Sequence, residues 1–291
     1  MSGQSALRER AALLEELRQI VQAMKNIAFA ELQRVAHLLP VQNLACDALI
    51  AALQALPEKA DAREVTGRSN APIAWLVIGS ERGFCGAFND HLATEVAALR
   101  NVDPTCRLFV AGQRLCQLLE AEPAQTIILP GCAALEDADS VLDAWIAAFS
   151  QVQAHWRELW LLYTGEATIE RRRLLPIATA PKQTTSTPSS QLAHAPLHYL
   201  PLPALRAALE HQGLRLLLQG GLFASLKQEH RWRLAQMQRA QDHLEELGGV
   251  LRKRHAVLRQ SEITNEQETL MSSLPEEGTL GTHSPFALPP A

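Results

Sequence analysis

The segment GSERGFCGAFND (79–90) gathers the groups in this chain best suited to chemistry: Gly79, Gly83 and Gly86, the Cys85 thiol, Arg82, and the Glu81 and Asp90 carboxylates. A glycine-rich turn between a strand and a helix can hold phosphate on backbone N–H groups. The glycines here fit neither GxGxxG nor GxxxxGK[ST], and no acidic ribose ligand follows about twenty residues on. A shaped loop without a ligand fits the spacing better. Cys85 would need a histidine or cation to become a nucleophile. His91 is close in sequence, but no third member of a catalytic set presents itself.

Other reactive types are scattered. The ten histidines form no HxxxH or HExxH pattern, and His194 and His198 read as solvated loop residues. The five cysteines (Cys46, Cys85, Cys106, Cys116 and Cys132) contain no CxxC pair and are odd in number, which argues for reduced, partly core-packed thiols. Neither a metal nor any other cofactor is expected. Two basic runs stand out. Glu170-Arg171-Arg172-Arg173 reads as a solvated strand end. Arg252-Lys253-Arg254 lies on a long helix, where its charges could meet acidic loops of a surrounding partner.

Composition narrows the classes. Over 291 residues the net charge is −4 and aromatics make up 5%, which argues against nucleic acid. The N-terminus has charges where a signal peptide would have an apolar region. No apolar stretch is expected to reach the roughly 18 to 20 residues of a membrane span, Leu214 to Leu226 being the richest, so membrane association is expected only through partners.

Positioning elements follow from periodicity. Leu7, Ala11, Leu14, Val21, Met24, Ala28, Val35 and Leu39 make one helical stripe in residues 4–56, with Pro40 expected to kink or end the helix near Leu39. A second helical piece, Val41 to Leu56, and a linker, Pro57 to Asn70, come next. Strands are expected at 72–79, 107–112, 125–131, 158–165 and 169–178, the last two as a hairpin. Helices are expected at 91–100, 113–122 and 137–155. This alternation predicts a largely parallel, Rossmann-like α/β sheet. Residues 179–196 read as a flexible, proline-punctuated linker. A short helix at 205–210 and a turn at 211–213 precede a helical pattern that persists to Leu274. There Met237, Leu244, Leu251 and Leu258 recur every seven residues, with Ala240 and Leu247 as companions three further on, a coiled-coil seam. About 60 residues give a helix of roughly 90 Å, which needs the N-terminal helix as its partner. Gly248-Gly249 interrupts it. The expected organisation is 1–56 N-terminal coiled-coil helix, 71–200 central α/β domain, 203–274 C-terminal coiled-coil helix paired antiparallel with the first, and 275–291 disordered tail.

These pieces resemble one family. ELRQIVQAMKNIAFAELQRV (16–35) is similar to the N-terminal helix of ATP synthase gamma subunits, "IT-AMKMVAA-KL-R", through Ala23, Met24, Lys25, Ala28, Leu32 and Arg34. The 79–89 loop resembles "SDRGLCGG-N", with Glu81 for aspartate and Ala87 for the second glycine. ASLKQEHRWRLAQMQRA (224–240) looks like "AL-ES-ASEH-ARM-AM--A". RQSEITNE (259–266) looks like "RQ-SITQE". Pro40, the 179–196 linker and the 275–291 tail depart from the pattern, as in a divergent branch carried beside a main ATPase.

The resemblance implies a central rotor shaft that does no chemistry itself. Its expected partners are a ring of three α and three β subunits, the epsilon subunit and the c-subunit ring, at the cytoplasmic face of a bacterial inner membrane. It places Met24 and Lys25 at the ring's lower catch region, Arg259, Gln260 and Thr264 at the catch loops from the C-terminal helix, and Glu266 at the subunit interface. Arg82 and Cys85 fall where shaft meets ring. Two competing readings are a stand-alone Rossmann-like scaffold with coiled-coil arms and an enzyme using the 79–90 loop.

Overall fold

The computed structural model describes residues 3–56, 71–119, 126–152, 156–177 and 199–273. The expected linkers at 57–70 and 179–196, the 275–291 tail, and His194 and His198 lie outside them. Five strands and five α-helices follow in order: α1 (Gly3–Ala55), β1 (Ile73–Ile78), α2 (Phe88–Val102), β2 (Arg107–Ala111), α3 (Gln113–Leu118), β3 (Thr126–Leu129), α4 (Ala138–Val152), β4 (Glu158–Thr164), β5 (Ile169–Leu175) and α5 (Leu202–Ser273). A 3₁₀ turn, Leu135–Asp137, leads into α4.

The sheet order is β3-β2-β1-β4-β5. β1 lies parallel to β2 and β4, and β2 to β3; the β4–β5 hairpin alone is antiparallel. The period of two along β1 divides its side chains between two cores. Ala74, Leu76 and Ile78 face a core built with α4 and the α5 stripe Leu214, Leu217, Leu218, Leu222 and Leu226. Trp75 and Val77 face the other, completed by Leu92, Val96 and Leu99 of α2 and Leu115 of α3. Burial on both faces is why β1 and β2 read as unbroken apolar runs. Arg215 ties α5 to α4 through Asp139 and Asp143.

The chain divides into two compact units, one comprising Met1–Gln19 and Gln241–Ala291, the other Ile20–Ala240. Within the larger unit α1 and α5 run antiparallel. Lys25 Nζ donates to Gln238 Oε1 at 2.5 Å, and further along α1 Gln42 Nε2 donates to the Leu216 carbonyl at 2.8 Å. Within the smaller unit a groove of about 1080 Å³ lies between the helices, lined among others by Leu7, Leu14, Leu244, Leu251 and His255.

Four expectations need correction. First, α1 does not stop or restart at Pro40 but continues to Ala55. Val35 before the proline and Gln42, Cys46 and Leu53 after it are all buried, so packing on both sides offsets the roughly 3 kcal/mol cost of an internal proline. Second, no turn separates 205–210 from the long helix. Gly213 sits inside α5 because a Cβ there would lie 2.8 Å from both Leu49 Cδ2 and Ile177 Cδ1; it answers a close approach, not a turn. Third, of the two expected seam companions Ala240 is half-buried but Leu247 is 40% exposed, and the half-buried row continues four residues on instead, through Gln241, Gly248 and His255. Fourth, α1 contains a window apolar enough to cross a bilayer by length and composition, of which 17% is buried. Alanine and leucine there dilute the few polar residues without forming one uninterrupted run.

Candidate coupling surface

The 79–90 loop joins β1 to α2 and is fastened from beneath at several points. Gly79 N–H donates to the Ala111 carbonyl at 2.9 Å, holding the loop to the end of β2. Next to it the backbone at Gly112 adopts φ 103°, and a Cβ there would lie 2.6 Å from the Gly79 carbonyl oxygen, so only glycine fits. Ser80 N–H donates to Asn89 Oδ1 at 3.0 Å, Asn89 Nδ2 donates to Ser80 Oγ at 2.8 Å, and Cys85 Sγ lies 3.3 Å from the same hydroxyl. The Glu81 carboxylate accepts from Gln113 N–H at 3.0 Å, at the positive end of α3.

α5 supplies the second fastening. Arg233, 7% exposed, donates from Nε to the Gly83 carbonyl at 3.3 Å and from Nη2 to the Arg82 carbonyl at 3.4 Å. Its charge is met by Glu229, one turn earlier and 4% exposed. Burial pushes the Glu229 carboxyl up to about 7, opposed by the attraction of Arg233. His230 Nδ1 lies 3.2 Å from Arg233 Nη1. The guanidinium can only donate, so Nδ1 accepts and the neutral ring carries its proton on Nε2, which is buried without a partner. Burial, with the nearby Arg233 and Arg82 charges, lowers His230 to about 4.

The loop's thiol is built for packing. Cys85 is 3% exposed and its pKa is raised, chiefly by burial. It fastens the loop to Ser80 and Asn89 and does not reach the surface. Among the described residues no group of three His, Cys, Asp or Glu side chains is placed to hold a metal.

The remaining expected site residues fall into two groups. In the larger unit, Met24 and Lys25 are half-buried on α1 facing α5, and Arg82 is exposed on the loop. In the smaller unit, Arg252, Lys253, Arg254, Arg259, Gln260, Thr264 and Glu266 all stand exposed on α5. Arg259, Gln260 and Thr264 line the rim of the groove between the helices. Sequence reasoning missed Arg233, Glu229 and His230, which hold the loop. Their only signal was the match of 224–240 to a family motif.

An α/β domain bracketed in sequence by two long helices that pair antiparallel, with its thiol sequestered and its charges displayed, defines a class of helical-arm protein. The comparisons make the class specific. The family model described as ATP synthase matches residues 4–272. The chain is 27% identical to the ATP synthase gamma chain of Amoebophilus asiaticus, covering 85% of this chain and 89% of that one. It is 23% identical to the ATP synthase gamma chain of Flavobacterium psychrophilum, covering 91% and 96%. In fold it is similar to a chain of the Euglena gracilis mitochondrial ATP synthase rotor (TM-score 0.55, 14% identity, 89% and 98% covered) and to one of the Tetrahymena thermophila central stalk and c-ring (TM-score 0.53, 16% identity, 76% and 99% covered). This chain belongs to the ATP synthase gamma-subunit family.

Proposed function

We propose that the chain is the central rotor shaft of a rotary ATP synthase or ATPase, non-catalytic in itself. The carrying observation is the family match over residues 4–272, which takes in both helices of an antiparallel pair and the domain between them. On this reading the helices of 1–56 and 203–274 enter the bore of a ring of three α and three β subunits. The 71–200 domain stands towards the c-ring and the epsilon subunit, holding the complex peripherally at the cytoplasmic face of a bacterial membrane. The exposed Arg252, Lys253, Arg254 and Arg259 supply charge for acidic ring loops, joined by Gln260, Thr264 and Glu266. Met24 and Lys25 support the helix pair opposite the lower catch region, and Arg82 meets the ring's lower edge. Cys85 shapes the loop that carries Arg82.

Coupling requires that the shaft touch the ring's conformers differently, because only differential contact shifts a population. Two unlike helices present an asymmetric surface, which supports such differential contact. The test is co-expression with the α and β subunits of its own genome. The chain is expected to purify in a complex of three α, three β and one copy of itself, and to hydrolyse no ATP alone. A monodisperse chain that ignores those subunits, or turnover by the isolated chain, overturns the reading.

A further inference from the structure

β5 carries three consecutive arginines, and the pleat sends the middle one to the inner face of the sheet. Arg171 points the other way and pairs with Glu95 of α2 at 2.6 Å. Arg172 stands opposite Leu161 and shares its face with Leu174, both of them buried in the core that α5 covers. It is half-buried there, and its guanidinium makes no hydrogen bond or ion pair with the described residues. A charge on the covered face of a sheet is ordinarily paired.

Arg172 lines a cavity of about 520 Å³ bounded by α1, β4, β5 and α5. That volume is ordinary for a small-ligand pocket. Leu39, Pro40 and Ala224 give the cavity an apolar wall, and Gln228 lines it from α5. Gln228 is only 5% exposed, yet its amide has no hydrogen-bond partner among the described residues. A buried amide left unsatisfied is costly, so the position asks for a ligand.

The charges set the sign and valence of that ligand. Both carboxylates in the lining are engaged: Glu170 accepts from Tyr163 Oη at 2.5 Å, and Glu166 pairs with Lys227 Nζ at 2.5 Å. Arg172 is the charge in the lining that stays without a partner. One negative charge balances it, whereas a dianion would carry an excess charge beside Glu166 and Glu170. A planar carboxylate matches the guanidinium fork with two parallel hydrogen bonds and keeps lone pairs free for an amide N–H. The apolar wall suits a carbon body.

We infer that this cavity is a binding site for a small monocarboxylate with an apolar body, held by Arg172 and Gln228. The site is independent of the rotor reading, which treats this domain as a mechanical part.

Phenylacetate is the probe, its binding to the full-length chain at pH 7 followed by ligand-observed NMR. A saturable site with a Kd of about 1 mM is expected for a ligand of about ten heavy atoms with one charged contact. The uncharged 2-phenylethanol is expected to bind about tenfold more weakly. Phenyl phosphate, largely a dianion at pH 7, is expected to bind no more tightly than phenylacetate. Arg172→Gln should weaken phenylacetate about tenfold, Arg172→Lys about threefold because the charge stays and the fork is lost, and Gln228→Met about fivefold. Arg172 has no partner to lose, so the unliganded Arg172→Gln chain should melt within about 2 °C of the parent. Absence of binding at about 20 mM phenylacetate overturns the inference. So does equal affinity for 2-phenylethanol, tighter binding of phenyl phosphate, or an affinity unchanged by Arg172→Gln and Gln228→Met. Should Arg172→Gln not fold, Arg172→Lys and Gln228→Met decide by the same criteria. A chain that fails to join the α and β subunits leaves all these outcomes as they are.

Discussion

Arg233→Met should expose how much of the 79–90 loop's shape depends on one buried ion pair. The substitution removes the charge opposite Glu229 and the two donors to the Gly83 and Arg82 carbonyls. Glu229 has an escape, because it can bind a proton. With its carboxyl at about 7 beside Arg233, it is already half protonated at pH 7 and protonated at pH 5. Completing that protonation costs only about 0.4 kcal/mol at pH 7 and almost nothing at pH 5. The two backbone acceptors add about 1 kcal/mol each. Loss of stability should therefore be about 2 kcal/mol, nearly the same at pH 7 and pH 5. Urea denaturation followed by circular dichroism at both values measures it. The Glu229→Gln, Arg233→Met double variant should recover the protonation cost at pH 7, because no group is left that must take up a proton. A loss below about 1 kcal/mol, or one more than about 2 kcal/mol greater at pH 7 than at pH 5, would refute the claim that Arg233 acts chiefly through the two carbonyls.

Two other perturbations follow from the same geometry and from the seam. His230 is held near 4 against 6.5 in the unfolded chain, so only the unfolded state gains a proton between those values. Its contribution is a stability lost as pH falls from 6.5 through 4, about 3 kcal/mol in all. Glu229 is raised and slopes the opposite way, with stability present below 4.5 and lost as pH rises through about 7. Thermal midpoints across pH 4 to 7 should fall less steeply on the acid side for His230→Gln than for the parent; parallel curves would refute the assignment. Gly248→Ala and Gly249→Ala should each stabilise α5 by about 1 kcal/mol, since a Cβ at Gly248 meets only Arg252 Nη1, at 3.7 Å, and one at Gly249 meets nothing within 4 Å. A lower midpoint for either would show a contact that the open space denies.

The parts of the fold that were legible depend on short-range periodicity. β1 and β2 announced themselves because both faces are covered, which removes polar alternation. The α1 stripe was legible because Leu7, Ala28 and Val35 are buried at helical spacing on one face. The errors share the opposite character. Pro40 and Gly213 are breakers when judged locally, yet each lies in a helix whose packing outweighs propensity, and at Gly213 that packing is the reason for the glycine. The seam shows the same limit more finely. The heptad leucines fix one row and Ala240 lies half-buried beside it, but Gln241, Gly248 and His255 are half-buried too, and their polarity and size hide them from any hydrophobic pattern.

The 79–90 loop was legible as a motif, and what holds its shape was not. Glu229 and Arg233 stand at i and i+4, the spacing of an ordinary solvent-exposed helix pair worth a few tenths of a kcal/mol. What makes the pair a structural pin is the pair of carbonyls about 150 residues away in sequence that converge on the same guanidinium. No local rule foresees that convergence. Phe84, whose backbone stands in the left-handed region at φ 63°, directly follows the two carbonyls that Arg233 holds. A motif can therefore match residue by residue while its energetics reside in side chains of another helix. In this family, substitutions at 229 and 233 should be read together with substitutions at 82–84.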